Sequence, residues 1–321
     1  MDIEERTGLQ KSGWEASMID VKQLVKIYDG KRVVDGVSFH VSEGEVFGML
    51  GPNGAGKTTT MEMVEGLRSP DGGEILVGGF DGIKEQTKVK ELIGIQLQST
   101  ALFDHLTVAE IIRLYGSFYK KMRPLSELLT AFNLEEKKKG LVKHLSGGQK
   151  QRLAIAIAVV HDPKVIFLDE PTTGLDPKAR RDLWDIVLQL RDEGRTVFLS
   201  THYMEEAEQL CDRVAIMDSG RVIALDSPAG LIRELASDSV IEFVPGREEA
   251  SSTYQGLGGV KEVKISEDGS VTLLTADLQE TLRKLIALAD ERGLMLTGLR
   301  TRTSTLEDVF LTRTGKRLTE T

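Results

Sequence analysis

Cysteine is nearly absent from this chain of 321 residues, where Cys211 stands alone. One thiol closes no internal disulfide and builds no multi-cysteine zinc site, so a reducing compartment, the cytoplasm, is expected. A basic surplus is also missing. Lys and Arg number 41 against 50 Asp and Glu, a formal net charge of −9. A protein that neutralises phosphate backbone needs the opposite balance, so no nucleic-acid partner is expected. No apolar run approaches the roughly 20 residues that span a bilayer. Residues 1–17 are polar, lack the hydrophobic stretch of a secretion signal and read as a disordered extension. The length suggests about two domains and suffices for a core held without disulfides or metal.

From Met18 the pattern becomes regular. Val21–Tyr28 and Val33–Val41 read as strands around the turn pair Asp29-Gly30. Val46–Leu50 is a third strand, followed by a glycine-rich loop and a helix over Thr58–Leu67. Residues 108–139 read as predominantly helical, broken at Pro124. Helices and strands then alternate: Gln149–His161, Val165–Leu168, Pro177–Asp192, Thr196–Leu199, Met204–Cys211 and Arg213–Met217. Such alternation implies an α/β fold with a largely parallel sheet covered by helices. Near residue 236 the character changes. Short strands surround a helix over Leu278–Glu291, and a last helix starts at Ser304 with Glu307 three residues on, a capping-box spacing. Residues 236–321 thus read as a small α+β domain behind a larger one over 18–235.

The strongest local motif is Gly51-Pro52-Asn53-Gly54-Ala55-Gly56-Lys57-Thr58, which fits the phosphate-loop spacing GxxxxGK[ST] between a strand and a helix. Its glycines let backbone N–H groups curl around an anion, and the helix start adds a positive dipole end. Lys57 is expected to reach the β- and γ-phosphates of a nucleotide and Thr58 to ligate Mg²⁺, while Thr59 is placed near the α-phosphate; the loop alone does not choose between kinase, GTPase and ATPase. The buried-strand run Val165–Leu168 ends in Asp169 and Glu170. Asp169 is placed to hold Mg²⁺, and Glu170 to polarise a water against the γ-phosphate. A second anion cradle, Leu145-Ser146-Gly147-Gly148-Gln149, heads another helix. One γ-phosphate does not need two cradles, unless the second serves a neighbour's nucleotide.

That pentapeptide is the hallmark of the ABC ATPases, and over residues 18–235 the sequence strongly resembles an ABC transporter nucleotide-binding domain. The resemblance implies a P-loop NTPase fold with a mixed sheet core, an antiparallel β subdomain and a helical subdomain near residues 99–160. It implies that Tyr28 stacks on adenine and that Gln98 contacts Mg²⁺ and water and senses a membrane partner. Asp176, in Thr173-Gly174-Leu175-Asp176, matches the aspartate that crosses the dimer interface, and His202 the histidine that contacts the γ-phosphate. The implied mechanism is a head-to-tail homodimer, or a heterodimer. Each ATP then lies between the Lys57 loop of one copy and Ser146, Gly147, Gly148, Gln149 and Asp176 of the other.

One nucleotide-binding unit without a long heptad segment disfavours translation-factor and chromosome-structure members of the family. With no membrane span encoded, the permease is expected to be a separate chain, with this one peripheral on the cytoplasmic face and pulling on it near Gln98–Leu114. The ending Leu306-Glu307-Asp308-Val309-Phe310-Leu311 resembles the tail of ATPase subunits in ABC-2 type exporters. An importer ATPase, a soluble ABC ATPase acting on ribosomes or nucleic acid, and a module that binds ATP without turnover are the competing readings.

Overall fold

The computed structural model describes residues 17–98, 102–235, 239–247, 249–266 and 268–315. The expected extension over 1–16 lies outside the described residues, and Ser17 opens the first strand. The chain divides into two compact units, 1–223 and 224–321. The division comes earlier than residue 236, because the helix Pro228–Glu234 packs on the final helix Leu306–Thr314, with Arg313 and Glu234 paired at 2.7 Å.

In the first unit the strands Val46–Leu50, Val165–Asp169 and Thr196–Thr201 are buried along their whole length. Continuous β-branched and aromatic runs of this kind belong in a sheet covered on both faces. They lie in a six-stranded sheet in the order Arg221–Asp226, Arg213–Asp218, Val46–Leu50, Thr196–Thr201, Val165–Asp169, Ile93–Gln96. From Arg213–Asp218 to Ile93–Gln96 neighbouring strands run parallel, and their register sets Leu50 opposite Thr201 and Asp169 opposite Ser200. The strand ends that carry the chemistry are thereby brought side by side.

A second, antiparallel sheet pairs Lys31–Ser42 with Ser17–Tyr28, then Gly72–Val77 and Phe80–Asp81. Its first hairpin turns at Asp29 and Gly30, with φ of 47° and 77°. Two positive values suit the right-handed twist of the flanking strands. Phe39 of this sheet stacks on Phe47 at 5.2 Å between centroids, and Phe47 meets Phe198 edge-on at 5.4 Å, joining the sheets through aromatic packing. The helical region is more broken than its periodicity suggests. The α-helices Val108–Gly116 and Leu125–Ala131 form before Gly147–Ala158, with 3₁₀ turns at Glu135–Lys137 and Val142–His144. Lys138-Lys139-Gly140, after the first of these turns, offers no apolar face and ends on a poor helix former.

The second unit runs strand–helix–strand–strand–helix–strand from Ser239 to Thr303, with sheet order Val260–Ile265, Val271–Thr275, Ser239–Pro245, Leu296–Thr303. This is the split βαβ arrangement of ferredoxin-like folds. Ile241, Phe243, Tyr254, Val271, Leu273 and Leu285 form its core, beneath the helix Leu278–Arg292. The final helix is capped by Thr305, not Ser304: Asp308, not Glu307, returns its carboxylate to the Thr305 N–H at 2.8 Å.

Candidate functional site

The loop Gly51–Gly56 joins the buried strand Val46–Leu50 to the helix Lys57–Val64. Gly56 takes φ 102°, and a Cβ there would meet the Val33 carbonyl oxygen at 2.6 Å, so only glycine closes the turn. Lys57 is buried. Its ammonium donates to the carbonyls of Gly51 at 2.8 Å and Pro52 at 3.1 Å and lies 3.7 Å from Glu170 Oε1. Burial lowers the Lys57 pKa, opposed by the charges of Glu170 and Asp169.

Asp169 and Glu170 end the neighbouring strand, and both are buried. Thr58 Oγ1 donates to Asp169 Oδ1 at 3.4 Å, and the Ser200 hydroxyl donates to the same oxygen. Burial pushes the Asp169 carboxyl up, and the adjacent Glu170 charge adds to this against the Ser200 and Thr58 hydroxyls. Glu170 adopts φ 46°, an uncommon conformation for a residue with a Cβ. Its N–H donates to Ser200 Oγ at 3.1 Å, which offsets part of that strain. Around its carboxylate stand Gln98 Nε2 at 3.2 Å, Thr173 Oγ1 at 3.2 Å and His202 Nδ1 at 3.3 Å. The structure therefore gathers Lys57, Thr58, Gln98, Asp169, Glu170 and His202. It presents one ammonium, one imidazole and two carboxylates beside an anion loop.

The other expected residues lie in a second group. Ser146 caps the helix Gly147–Ala158 in a reciprocal box with Gln149, at 3.3 and 3.0 Å. A Cβ at Gly148 would sit 3.0 Å from that of Ala179, a tighter approach than ordinary contact. Asp176 caps the helix Pro177–Asp192, accepting from the N–H groups of Lys178 at 3.0 Å and Ala179 at 2.9 Å. No hydrogen bond or ion pair among the described residues links this group to the Lys57 cluster. Tyr28 is half-exposed and accepts a hydrogen bond from Arg68. Lys26 Nζ and Arg68 Cζ lie 5.4 and 5.5 Å from its ring centre, an electron-rich face that attracts cations. Ser99, Thr100 and Ala101, which follow Gln98, lie outside the described residues.

Sequence reasoning missed Ser200 and Thr173, both of which hold the carboxylates. Thr173 stands three residues after Glu170 in the chain, and that spacing was the available signal. The strand expected over Thr196–Leu199 continues to Thr201, and that extension sets Ser200 opposite Asp169.

The ABC transporter family pattern matches residues 34–173. The chain is 37% identical to the linearmycin resistance ATP-binding protein LnrL of Bacillus subtilis, over 94% of this chain and 99% of that one. It is 39% identical to the daunorubicin/doxorubicin resistance ATP-binding protein DrrA of Streptomyces peucetius, over 92% of each. It is 38% identical to the Nod factor export ATP-binding protein I of Rhizobium etli, over 94% of each. Among solved structures, the ATP-binding subunit of an ABC transporter aligns with a TM-score of 0.62 at 32% identity, covering 68% of this chain and 92% of that one. A dimeric ATP-binding cassette in a post-hydrolysis state with ADP and Pi aligns at 0.59 and 26%, covering 65% and 98%. A phosphate loop, a paired-carboxylate strand end and a flanking histidine, on a chain matched along nearly its whole length, make this protein a member of the ABC transporter ATPase family.

Proposed function

We propose that this chain is the ATP-hydrolysing subunit of an ABC-2 type exporter and powers a separate transmembrane permease. One observation carries the reading. The drug-resistance and export ATP-binding proteins match 92–94% of this chain, second unit included, while the two cassette structures cover 68% and 65%.

In this reading the Gly51–Thr59 loop cradles the phosphates and Tyr28 stacks on adenine. Thr58, Asp169 and the Gln98 amide offer hard oxygen atoms, two of them 3.4 Å apart. No group of three His, Cys, Asp or Glu side chains able to cage a metal occurs among the described residues. That donor set suits Mg²⁺, which takes one or two protein ligands and completes its shell with water and phosphate oxygens. Bound there, Mg²⁺ would neutralise charge on the terminal phosphates. Glu170 orients the attacking water, while Lys57 and His202 face the charge that develops on the γ-phosphate.

The exposed start of the helix Gly147–Ala158, headed by Ser146, supports its use on a second copy's nucleotide. ATP then favours the closed dimer by its higher affinity for that state. Exposed Leu97 and Phe103 support docking of the permease near Gln98–Leu114, on the cytoplasmic face of the membrane. No described helix is long and apolar enough to cross a membrane. The test is Glu170→Gln. Phosphate release is expected to fall about 10²- to 10⁴-fold while ATP-dependent dimers accumulate. Unchanged release removes Glu170 from its role, and full turnover by dilute monomers removes the shared site. A native pull-down without a membrane protein removes the exporter.

A further inference from the structure

Next to the site lies an enclosed carboxyl that the hydrolysis chemistry does not use. Glu206, in the first turn of the helix Met204–Leu210, has no exposed surface. The Trp184 indole donates to its Oε1 at 3.2 Å, from the helix that Asp176 caps. The hydroxyls of Thr201 and Thr172 lie close enough to favour its charged form. Thr172 belongs to the turn after Glu170 and is followed by Thr173, which hydrogen-bonds the Glu170 carboxylate. Thr201 ends its strand, and its Oγ1 accepts the Tyr203 N–H at 2.9 Å, bracketing His202. Three segments that carry Glu170, His202 and Asp176 thus converge on one side chain.

Stability alone does not account for a carboxyl here. Burial pushes the Glu206 pKa up, against the Thr201, Thr172 and Trp184 donors and the Arg180 charge. Among the described residues, Glu206 Oε2 and Thr172 Oγ1 complete no hydrogen bond of good geometry. An apolar side chain of similar volume would fill the space without that desolvation cost. We propose that Glu206 is a positioning residue for ATP hydrolysis, bonded to Trp184 and enclosed beside Thr172 and Thr201 so that Glu170 and His202 keep their 3.3 Å approach. The proposal rests on Glu170 and His202 acting on ATP as read above.

The experiment compares Glu206→Leu and Glu206→Gln in the full chain by steady-state ATP hydrolysis and thermal unfolding. Leucine is expected to keep or raise Tm while kcat falls about 10- to 100-fold at unchanged KM for ATP, because a small displacement of reacting groups costs that much. Glutamine keeps the shape and an oxygen for the indole, and is expected to restore kcat. In a Trp14→Phe background, Trp184 emission should shift in the leucine variant and not in the glutamine variant. Wild-type kcat in the leucine variant overturns the proposal, as does a fall in Tm with kcat per folded molecule intact. If the leucine variant fails to fold, Trp184→Phe decides: lowered kcat at unchanged KM supports the role, and wild-type kcat overturns it. Glu170→Gln run alongside keeps the two readings apart, since full activity there sinks the site assignment whatever Glu206 does.

Discussion

Two clusters of buried charge, one in each unit, are built on opposite rules. In the first, Asp169 and Glu170 are consecutive and share one ammonium, that of Lys57, 3.7 Å from Glu170. Hydroxyls and an amide supply most of the remaining contacts. Burial prevails there, raising the Asp169 pKa and lowering that of Lys57. In the second, Arg302 grips Asp308 with two bonds, at 2.6 and 2.8 Å, and also reaches Glu242 at 2.9 Å, which Arg300 meets at 2.6 Å. Burial would raise both carboxyls, but the Arg302 contacts outweigh it, joined by Arg300 at Glu242 and the Thr305 N–H at Asp308, and both pKa values end low. A fully paired cluster stabilises its own fold. An underpaired one keeps electrostatic capacity for a ligand that brings its own charge.

Neutral substitutions of similar length put that contrast to trial. Lys57→Met is expected to lower ATP turnover about 10²- to 10³-fold, the cost of removing one preorganised charge contact. Its stability should change little, because burial already opposes the charge of Lys57. Phosphate release and urea unfolding on the same samples measure both. Arg302→Met should do the reverse, weakening the second unit by about 3 kcal/mol as buried Asp308 loses its ion-pair partner and Glu242 is left with Arg300, while turnover per folded molecule holds. If the two variants behave alike, the contrast fails.

Acidity separates the clusters more finely. Glu65, buried at the end of the phosphate-loop helix, is pushed up to about 8 by burial first, then by the charges of Asp169 and Glu62. The folded protein therefore holds a proton that the unfolded chain releases near its ordinary value of 4.5. The contribution of Glu65 to the stability of the first unit should fall as pH rises between ~4.5 and ~8, by at most about 1.4 kcal/mol per pH unit, and level off above. Glu242 and Asp308 have lowered values, so their support is complete above the ordinary carboxylate range and is lost only as pH falls below it. Between pH 6 and 8 hydrogen exchange should show the first unit weakening and the second unchanged. Glu65→Gln should flatten the first response.

What could be read from the sequence follows the same division between local and distant causes. The phosphate loop, the paired acids and His202 are contiguous patterns whose chemistry depends on neighbours in the chain. Ser200 meets Asp169 only through sheet register, which sets the two opposite each other. Glu206 sits among Glu205 and Glu208 in what looks like a solvated acidic helix, and only packing turns it inward. Alternating elements gave the parallel sheet, but the ferredoxin-like order of the second unit needs pairings such as Val240 with Arg302, far apart in sequence. The displaced cap is a milder case. Ser304 with Glu307 and Thr305 with Asp308 share one spacing, and nothing local chooses between them.

The choice is made by Arg302, which gives the smallest effect its use. Asp308 Oδ2 accepts from Arg302 and also from the Thr305 N–H, at 2.6 and 2.8 Å, so one carboxylate serves both the ion cluster and the helix start. Thr305→Ala is expected to cost about 1 kcal/mol in urea unfolding of the second unit. Combined with Arg302→Met, the losses should not add, and the coupling should exceed about 0.5 kcal/mol, since each change alters how firmly Asp308 is held for the other. Strict additivity would mean that the cap and the ion pairs are independent contacts sharing an atom. The second cluster would then be a set of separate bonds and not a network, and the contrast with the underpaired carboxylates of the first unit would lose its structural basis.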